Sequence, residues 1–313
     1  MLTGIVKAIC VSEKKGTEKH RVASAHLRPN HGIEGDAHAG GWHRQVSLLP
    51  YGQVEEFNSR GANVEHGAFG ENLVVEGIDF KSLPVGSRFL VGTTELRMTQ
   101  IGKECHSHCA IYKRMGECIM PREGVFAEVL KEGDIATGDT MAVLPPDPDR
   151  PFTAGVITCS DKGFLGERAD ESGPRAQKIL EEAGYHVVET IILPDEPEAL
   201  KAQLKRLSDG RQVDLVVTSG GTGFSPRDMA PEATMAIADR NAPGIAEYIR
   251  FRSMQVTGRA MLGRGVSVIR GKTLIVNLPG SPKAVEESLG FILGHLRHGL
   301  EVLRGTVSEC AQK

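Results

Sequence analysis

The chain has 313 residues, of which 40% are hydrophobic and 25% are charged, as expected of a globular protein long enough for two domains. Its formal net charge of −3 gives no general surface for polyanions, so we expect no nucleic-acid partner. The sequence has no apolar run of membrane-spanning length, no secretory pattern at its start and no disulfide-framework spacing among its six cysteines, so we expect a cytoplasmic protein with reduced thiols and no membrane partner.

The first 144 residues contain short strand-like runs separated by turn residues. Examples of these runs lie at 4–11, 45–49, 72–75, 88–91 and 95–99, and a further run at 138–144 ends this part. Helical periodicity is scarce, and residues 51–60 are the best candidate for a helix. Short strands at this spacing predict a β-barrel or closed sheet.

Three patches in this part carry chemically capable residues: 32–40 (GIEGDAHAG), 66–72 (HGAFGEN) and 102–109 (GKECHSHC). Cys105 and Cys109, with Cys118 further on, lie among histidines, which is compatible with soft metal ligands. Their spacing fits no common structural zinc module, however. A thiol beside Lys103 and a histidine would have a lowered pKa and be nucleophilic. A third interpretation is that the cysteines are partly buried small hydrophobic residues.

These patches in this order resemble the MOSC family, named for the C-terminal domain of molybdenum-cofactor sulfurase. The stretches GIEGDAHAG, HGAFGENL, GKECHSHCAIY and MPREGVFAEVL match its pattern across nearly all of residues 1–144. The resemblance implies a β-barrel that binds the molybdenum cofactor or carries sulfur on a cysteine. The carrier would be Cys105 first, then Cys109 or Cys118, and Lys103 and Arg122 are candidates for the cofactor's phosphate, with ordinary surface charge as the alternative.

A proline-rich segment, PPDPDRP at 145–151, follows the barrel-like part. Four prolines in seven residues favour a stiff, extended chain that neither a helix nor a central strand tolerates. We therefore predict a first domain at 1–144, a linker at 145–151 and a second domain at 152–313.

The second domain alternates strand-like and helix-like segments. Strands are predicted at 154–159, 187–193, 213–219 and 273–278, and helices at 168–183, 197–207, from 231 onward, at 243–254 and at 281–303. This alternation predicts a three-layer α/β domain with a mostly parallel sheet, so that the whole chain is of the α/β plus β class.

Four polar or glycine-rich turns follow the predicted strands. They are Ser160-Asp161, Pro194-Asp195-Glu196, the glycine loop Ser219-Gly220-Gly221-Thr222-Gly223, and Leu278-Pro279-Gly280-Ser281-Pro282. Ligands of parallel sheets bind beyond the carboxyl ends of the strands, so these turns predict one ligand site.

The stretch 213–234 joins a buried strand, the glycine loop and a helix start, which is a geometry that binds phosphate through backbone N–H groups. Arg227 offers charge-assisted hydrogen bonds to an anion, and Asp228 offers a ligand for Mg²⁺. The alternative is a plain strand-to-helix turn with a salt bridge between Arg227 and Asp228.

The second domain resembles the MogA/MoaB-type molybdopterin adenylyltransferases. The stretches ITCSDKG, ILPDEPE, SGGTGFSPRDMAPEAT, NAPGIAE and NLPGSPKA stand in the family's order. The resemblance implies that Asp195 and Asp228 are the two essential acidic residues, that the glycine loop and the LPGSP turn hold the pterin and its phosphate, and that Glu247 is a further acidic position.

The activity implied is adenylylation of molybdopterin by ATP, in which positioning and charge neutralisation do most of the work. We assign Asp195 and Asp228 to catalysis, either by binding Mg²⁺ or by orienting phosphates. Lys283 or Arg227 is a candidate for stabilising the departing charge, and a surface role is the alternative for Lys283. The predicted ligand-binding residues are Ser160, Asp161, Ser219, Gly220, Gly221, Thr222, Gly223, Arg227, Glu247, Pro279, Gly280, Ser281 and Lys283.

A non-catalytic carrier or scaffold for molybdopterin or molybdenum cofactor is the alternative function. Retention of two carboxylates suited to a metal favours the enzyme over the carrier. The resemblance also implies a homotrimer, and other proteins that make or accept the cofactor are possible partners.

Overall fold

The structure is a computed structural model that describes residues 1–103 and 109–306. It divides into two compact units, Met1–Pro148 and Asp149–Lys313, and the division lies inside the proline-rich segment 145–151. No helix within the described ranges is both long enough and apolar enough to cross a membrane.

The N-terminal unit is built mainly from strands. They are β1 (Thr3–Val11), β2 (His20–Val22), β3 (Ser24–Arg28), β4 (Gly32–Ile33), β5 (Val46–Pro50), β6 (Leu73–Glu76), β7 (Arg88–Val91), β8 (Thr94–Ile101), β9 (Val125–Lys131), β10 (Gly133–Ala136) and β11 (Thr140–Val143). Its helices are α1 (Tyr51–Ser59), α2 (Ala110–Met115) and α3 (Met120–Glu123).

Seven of these strands close into a barrel in the order β11-β7-β8-β9-β5-β6-β1, and β1 pairs with β11 to complete the ring. All neighbours are antiparallel except β5 and β6. The interior is apolar because alternate side chains point inward, and Val6, Leu48, Phe89 and Leu96 are fully buried there. The predicted β-barrel is confirmed.

Smaller strands of this unit escaped prediction. Strands β3, β4 and β10 form a separate three-stranded sheet, and β2 extends the far end of β1. Strands of two to five residues carry too little alternation to be distinguished from turns.

The C-terminal unit contains strands and helices in alternation. The strands are β12 (Thr153–Cys159), β13 (His186–Leu193), β14 (Leu215–Ser219), β15 (Arg240–Asn241), β16 (Ser267–Arg270) and β17 (Thr273–Leu278). The helices are α4 (Asp161–Phe164), α5 (Ser172–Glu182), α6 (Pro197–Lys205), α7 (Ala230–Met235), α8 (Pro243–Met254) and α9 (Pro282–Arg304).

The sheet has the order β13-β12-β14-β17-β16-β15, in which the first four strands are parallel and the last two are antiparallel additions. Helices α5, α8 and α9 pack on one face, and α6 and α7 pack on the other. The predicted three-layer α/β domain with a mostly parallel sheet is confirmed.

Two predicted helices differ at their ends. The helix predicted at 168–183 begins at Ser172, because the carboxylate of Asp170 accepts hydrogen bonds from the N–H groups of Ser172 and Gly173 and caps it there. The helix predicted at 197–207 ends at Lys205 and continues as a wider turn through Gly210.

The start of this unit is tied to its last helix. The guanidinium of Arg304 donates to the carbonyls of Arg150 (2.9 Å) and Pro151 (2.7 Å) and lies 4.1 Å from the centre of the Phe152 ring. It also binds both carboxylate oxygens of the buried Asp214, at 2.7 and 2.8 Å. The first residues of the unit and the end of its final helix are therefore held together.

Candidate functional site

The four parallel strands end at the same level of the sheet. Cys159 of β12 pairs with Leu193 of β13, while Ser219 of β14 pairs with Thr158 on one side and Leu278 on the other. The four turns predicted to share a rim therefore do so, and the site is built from the loops that follow these strands.

The glycine loop makes its turn with backbone conformations that favour glycine. Gly220 and Gly221 have φ angles of +91° and +63°. A Cβ on Gly220 would overlap the carbonyl oxygen of Cys159, and one on Gly280 would lie 3.2 Å from the Cα of Gly220. The loop is thus pressed against both neighbouring strand ends, and its backbone forms the floor of the site.

Two aspartates lock the first and second loops together. The N–H of Asp161 donates to Asp195 Oδ2 at 3.0 Å, and the N–H of Asp195 donates to Asp161 Oδ1 at 2.9 Å. Ser160 caps α4 by accepting from the N–H of Gly163, and it also accepts from Arg168. The two hydrogen bonds between Asp161 and Asp195 hold the Asp195 carboxylate at the carboxyl end of the sheet.

Asp195 and Asp228 flank the glycine loop. Asp195 Oδ1 lies 3.7 Å from the position of a Cβ on Gly221, and Asp228 Oδ2 lies 2.8 Å from the position of one on Gly223. Burial, together with the negative charges of Asp161 and Asp228, raises the pKa of Asp195. The two carboxylates therefore contribute to one negative region.

Asp228 also closes the turn that follows the loop. Its Oδ2 accepts from the N–H of Ser225 at 2.8 Å, and its own N–H donates to the carbonyl of Ser225. The helix after the loop begins only at Ala230. The N–H group bonded to the Asp228 carboxylate is therefore that of Ser225, in the turn that precedes this six-residue helix.

Arg227 pairs with Asp161 and Glu196, not with Asp228 as the turn interpretation expected. Its Nε and Nη2 donate to both oxygens of Asp161 at 2.8–3.2 Å, and its Nη1 donates to Glu196 at 2.8 Å. The hydrogen bonds from Arg227 lower the pKa of Asp161. The guanidinium thus bridges two strand-end loops from a third.

Two other residues that shape the site were not among those singled out from the sequence. Arg264 donates to the carbonyls of Gly223 (2.7 Å) and Asp228 and forms an ion pair with Glu232. Its own N–H bonds the carbonyl of Thr222 at 3.0 Å. One side chain therefore secures the loop and the turn that carries Asp228.

Asn277 is the second such residue. Its buried side-chain amide donates to the hydroxyls of Thr218 and Thr234, at 2.9 Å each, and so connects β17 to β14 and α7. The sequence offered one signal for Asn277, namely a polar residue near the end of an apolar strand and directly before the LPGSP turn.

A cavity of about 340 Å³ opens beside the glycine loop. Thr222 and Gly223 line it on one side, and Asn277 and Pro279 line it at the end of β17. The rest of the wall comprises Ala246, Ile249, Arg250, Ser253, Thr257, Arg259, Ala260, Leu262, Gly263, Gly265, Ala284 and Glu287. A largely apolar wall with a few charged groups suits a flat heterocyclic ligand.

Three predicted site residues lie at or beyond the edge. Ser281 caps α9 by accepting from the N–H of Ala284, at 3.3 Å. Lys283 is 80% exposed and lies 3.8 Å from Glu287, which lines the cavity. Glu247 is exposed on α8, whose residues Ala246, Ile249, Arg250 and Ser253 face the cavity instead.

In the barrel, the first predicted patch surrounds a buried lysine. Lys19 forms an ion pair with Asp36 that is closed to solvent, and its Nζ lies 3.3 Å from Nδ1 of His38. Burial, followed by the charge of Lys19, lowers the pKa of His38, and Lys103 adds to this effect. Lys103 of the third patch therefore lies near the first patch.

The second patch contributes a buried carboxyl group. Glu71 is 0% exposed and accepts from the N–H groups of Gly67 (2.6 Å) and Phe69 (3.1 Å). Burial raises its pKa to about 7. Lys19 bonds the same loop, because its N–H donates to the carbonyl of Gly67.

The candidate thiols differ in accessibility. Cys105 lies outside the described residues, Cys109 is exposed directly before α2, and Cys118 is partly buried against an apolar cluster. Burial raises the pKa of both Cys10 and Cys159 to about 12, so these two are inert packing residues. Among the described residues, no group of three or more His, Cys, Asp or Glu is arranged to hold a metal ion.

Of the two basic candidates for a phosphate in the barrel, Arg122 is 58% exposed and pairs with Glu117 at 2.9 Å. Lys103 is half-buried. Their assignment to a cofactor phosphate stays a prediction.

Two family models match the chain: one described as a MOSC domain at residues 35–142, and one described as a probable molybdopterin binding domain at 155–298. The chain thus combines a MOSC domain with a domain of the molybdopterin-binding class.

Curated relatives refine this class. Over 138 residues the chain is 43% identical to the molybdopterin adenylyltransferase of Haemophilus influenzae, covering 43% of this chain and 70% of that protein. Over 161 residues it is 35% identical to the Helicobacter pylori molybdopterin adenylyltransferase, covering 51% and 92%. The chain therefore belongs to the family of the molybdopterin adenylyltransferases.

Two further proteins are each similar to about half of the chain. The Drosophila melanogaster molybdenum cofactor synthesis protein cinnamon is 38% identical over 159 residues, which are 50% of this chain and 26% of that protein. The solved structure of the Thermus thermophilus molybdopterin biosynthesis enzyme MoaB is 44% identical and covers 49% of this chain and 97% of that one, with a TM-score of 0.47.

Proposed function

We propose that the C-terminal domain transfers the adenylyl group of ATP to molybdopterin, in the biosynthesis of molybdenum cofactor. The observation that carries the proposal is the pair of carboxylates, Asp195 and Asp228, on either side of a glycine loop that borders an open cavity. Relatives that are 35% and 43% identical over this domain are named molybdopterin adenylyltransferases, which supports it.

The glycine loop is the proposed phosphate site. Gly220 and Gly221 allow the backbone to come close to a ligand, and exposed N–H groups in such loops bind phosphate oxygens. Arg264 holds the loop through the carbonyl of Gly223, so its N–H groups are positioned before the substrate arrives. A preorganised donor set is what stabilises charge that develops in a transition state.

The donor set at the rim fits magnesium. Mg²⁺ is usually bound by one or two carboxylates together with substrate phosphates, so two carboxylates that flank a phosphate site suffice without a preformed cluster. Asp195 and Asp228 would hold the ion. Bound there with ATP, it would neutralise charge on the phosphates.

The cavity is the proposed site of the pterin. Its volume of about 340 Å³ lies within the range of small-molecule sites. Thr222 and Gly223 belong to both the cavity wall and the glycine loop, so a pterin in the cavity would have its phosphate beside the loop. Arg250 and Glu287 offer polar groups to orient the ring system.

The reaction needs little covalent assistance from the protein. An oxygen of the terminal phosphate of molybdopterin forms a bond to the α-phosphorus of ATP, and the bond from that phosphorus to the pyrophosphate oxygen breaks. The attacking phosphate is already ionised, so no general base is required. The protein aligns the two substrates and neutralises their charges.

For the barrel we propose binding of the cofactor or sulfur transfer on a thiol. Cys109 is accessible for such a role, whereas Cys10 is buried. Cys105 and Cys118 remain the other candidates. A cytoplasmic location, a homotrimer, and partners that make or accept the cofactor complete the proposal.

The test is pyrophosphate release from Mg-ATP with and without molybdopterin, with mass detection of adenylylated pterin. We expect release that requires molybdopterin and falls at least about 100-fold in Asp228→Ala and Asp195→Ala, because both remove charge-positioning groups. Glu182→Gln, an exposed change at the end of α5, is the matched control and should keep full turnover. Cys109→Ser should also keep it.

Full turnover in Asp228→Ala would refute the assignment. If the wild-type chain binds molybdopterin but releases no pyrophosphate, the domain is a carrier instead of an enzyme. The same assay thus separates the two functions that the sequence left open.

A further inference from the structure

The side chain of Arg227 occupies the place where negative charge is concentrated. Its guanidinium uses both sides of its fork: Nε and Nη2 bind Asp161, and Nη1 binds Glu196. Asp161 is in turn bonded to Asp195 through a pair of backbone-to-carboxylate hydrogen bonds at 2.9 and 3.0 Å. One guanidinium therefore stands beside the carboxylate proposed to hold a metal ion.

Several carboxylates lie close together at this rim. Four carboxylates, those of Asp161, Asp195, Glu196 and Asp228, come from three neighbouring loops, and Arg227 is the guanidinium bonded to two of them. Like charges held together at close range repel, so a cation here stabilises the arrangement. Arg227 supplies positive charge beside these carboxylates, as a bound divalent cation would also do.

The pairs that hold Arg227 are open to water. The side chains of Arg227, Asp161 and Glu196 are 51%, 40% and 54% exposed. Exposed ion pairs contribute little net stability, and a long arginine side chain changes rotamer readily. Arg227 can therefore exchange Asp161 and Glu196 for other negatively charged partners at a small cost in free energy.

Arg264 shows the contrast on the same loop. It is 33% exposed, and besides its ion pair with Glu232 it donates to the backbone carbonyls of Gly223 and Asp228, which do not change charge when a ligand binds. Backbone groups thus hold Arg264 in the turn, whereas both partners of Arg227 are side chains whose charge a metal ion can neutralise.

We propose that Arg227 is an exchangeable counter-cation. In the ligand-free protein it neutralises Asp161 and Glu196. When magnesium nucleotide enters, its guanidinium leaves these carboxylates and binds a phosphate of the nucleotide, for which its planar fork is suited. This inference rests on the proposed function and assigns Arg227 a role in each of two states.

The two roles predict effects of opposite sign in one variant. In Arg227→Gln, the carboxylates lose a competing cation, so free Mg²⁺ should bind about fivefold more tightly. The same variant lacks a charged phosphate donor, so Mg-ATP should bind about tenfold more weakly. A residue that merely supported the fold would weaken both equilibria or neither.

The experiment is calorimetric titration of the full chain with MgCl₂ alone and, separately, with ATP at saturating Mg²⁺. Arg297→Gln is the matched control, because it removes the same charge from an exposed ion pair with Glu301. Glu196→Gln is the mirror variant: it frees Arg227 from one partner and removes one carboxylate. It should therefore weaken free Mg²⁺ binding and leave Mg-ATP binding equal or stronger.

Arg227→Gln with unchanged or weaker affinity for free Mg²⁺, or with wild-type affinity for Mg-ATP, would overturn the inference while the proposed function stood. A wild-type chain that does not bind Mg-ATP would overturn both. Thermal unfolding of each variant checks that the fold is intact, which the exposure of these side chains leads us to expect.

Discussion

Glu71 is the residue at which burial has its clearest consequence. It is the carboxyl group of the GENL motif in the barrel, closed to solvent and bonded to two backbone N–H groups. Its pKa is raised from 4.5 to about 7, chiefly by burial. The folded protein therefore keeps a proton on Glu71 that the unfolded chain releases at lower pH.

This difference predicts a pH dependence of stability. The folded state binds more protons than the unfolded state between pH 4.5 and about 7, so the free energy of unfolding falls as pH rises through that range. Glu71→Gln does not titrate. The free energy of unfolding of the variant relative to the wild type should therefore rise by up to about 3 kcal/mol from pH 4.5 to above 7.

Urea unfolding followed by the fluorescence of Trp42 measures this effect, because Trp42 is the single tryptophan and lies in the barrel unit. Glu65→Gln, an exposed change in the same loop, is the control. A difference in unfolding free energy between Glu71→Gln and the wild type that stays constant with pH would show that folding does not raise the pKa of Glu71.

At the scale of elements, the glycine loop depends on a side chain from another segment. Arg264 reaches the carbonyls of Gly223 and Asp228 and the carboxylate of Glu232. In Arg264→Ala the loop and the turn after it lose this support. Because small misplacements of reacting groups are costly, kcat/KM for adenylylation should fall by about 10- to 100-fold.

Arg270 provides a matched control for this prediction. It too pairs with a carboxylate, Asp209, and donates to a backbone carbonyl, that of Ile237. It lies at the turn between β16 and β17, at the end of β17 that is remote from the LPGSP turn and the site. Steady-state assays should show normal turnover in Arg270→Ala, and an equal loss in both variants would mean that Arg264 acts through stability alone.

Elements with strong patterns were predictable from the sequence. Strand β17 and helix α8 occupy the residues predicted, since an apolar run and a proline at the first helical turn define them locally. The convergence of the four turns followed from parallel strands alone. The glycine loop was named as a candidate from its own pattern, whereas Asp195 and Asp228 were named as the essential acidic pair from the resemblance to the molybdopterin adenylyltransferases.

Long-range partners were not predictable in this way. The bonds of Arg264 to Gly223 span 41 residues and those of Arg227 to Asp161 span 66, and no local pattern records such distances. The alternative in the sequence analysis, a salt bridge between Arg227 and Asp228, paired Arg227 with the charge nearest to it in the sequence. In the barrel, Lys19 stood outside every motif, yet Asp36 of the first patch pairs with it.

At the scale of the whole molecule, each unit has its own apolar core. The barrel core contains residues such as Val6 and Leu96, and the α/β cores contain residues such as Val217 and Leu289. Stability can therefore be analysed unit by unit. In the C-terminal unit, Asp214 accepts hydrogen bonds from the N–H and hydroxyl of Thr153, the first residue of β12. The buried pair of Asp214 and Arg304 therefore joins the first strand, the last helix and the first residues of the unit.

Asp214→Asn should lower the free energy of unfolding of this unit by about 3 kcal/mol, because it leaves Arg304 without its buried counter-charge. Asp214 lies just before β14, at the end of the strand remote from the glycine loop, so adenylylation well below the unfolding temperature should be unchanged. Calorimetric unfolding provides the measurement, with Arg297→Gln on the same helix as control. A variant with wild-type stability would show that the pair does not hold the unit together.

The bonds from Arg304 to the carbonyls of Arg150 and Pro151 also have a consequence for how this unit can be rearranged. The start of the unit and the end of its final helix are neighbours, so the unit can be inserted into a surface loop of a host protein through two connections that lie close together. For the same reason its two ends can be joined and the chain reopened elsewhere, as in a circular permutant. Because its ends are close together, the unit is suited to fusion with, or insertion into, different protein domains.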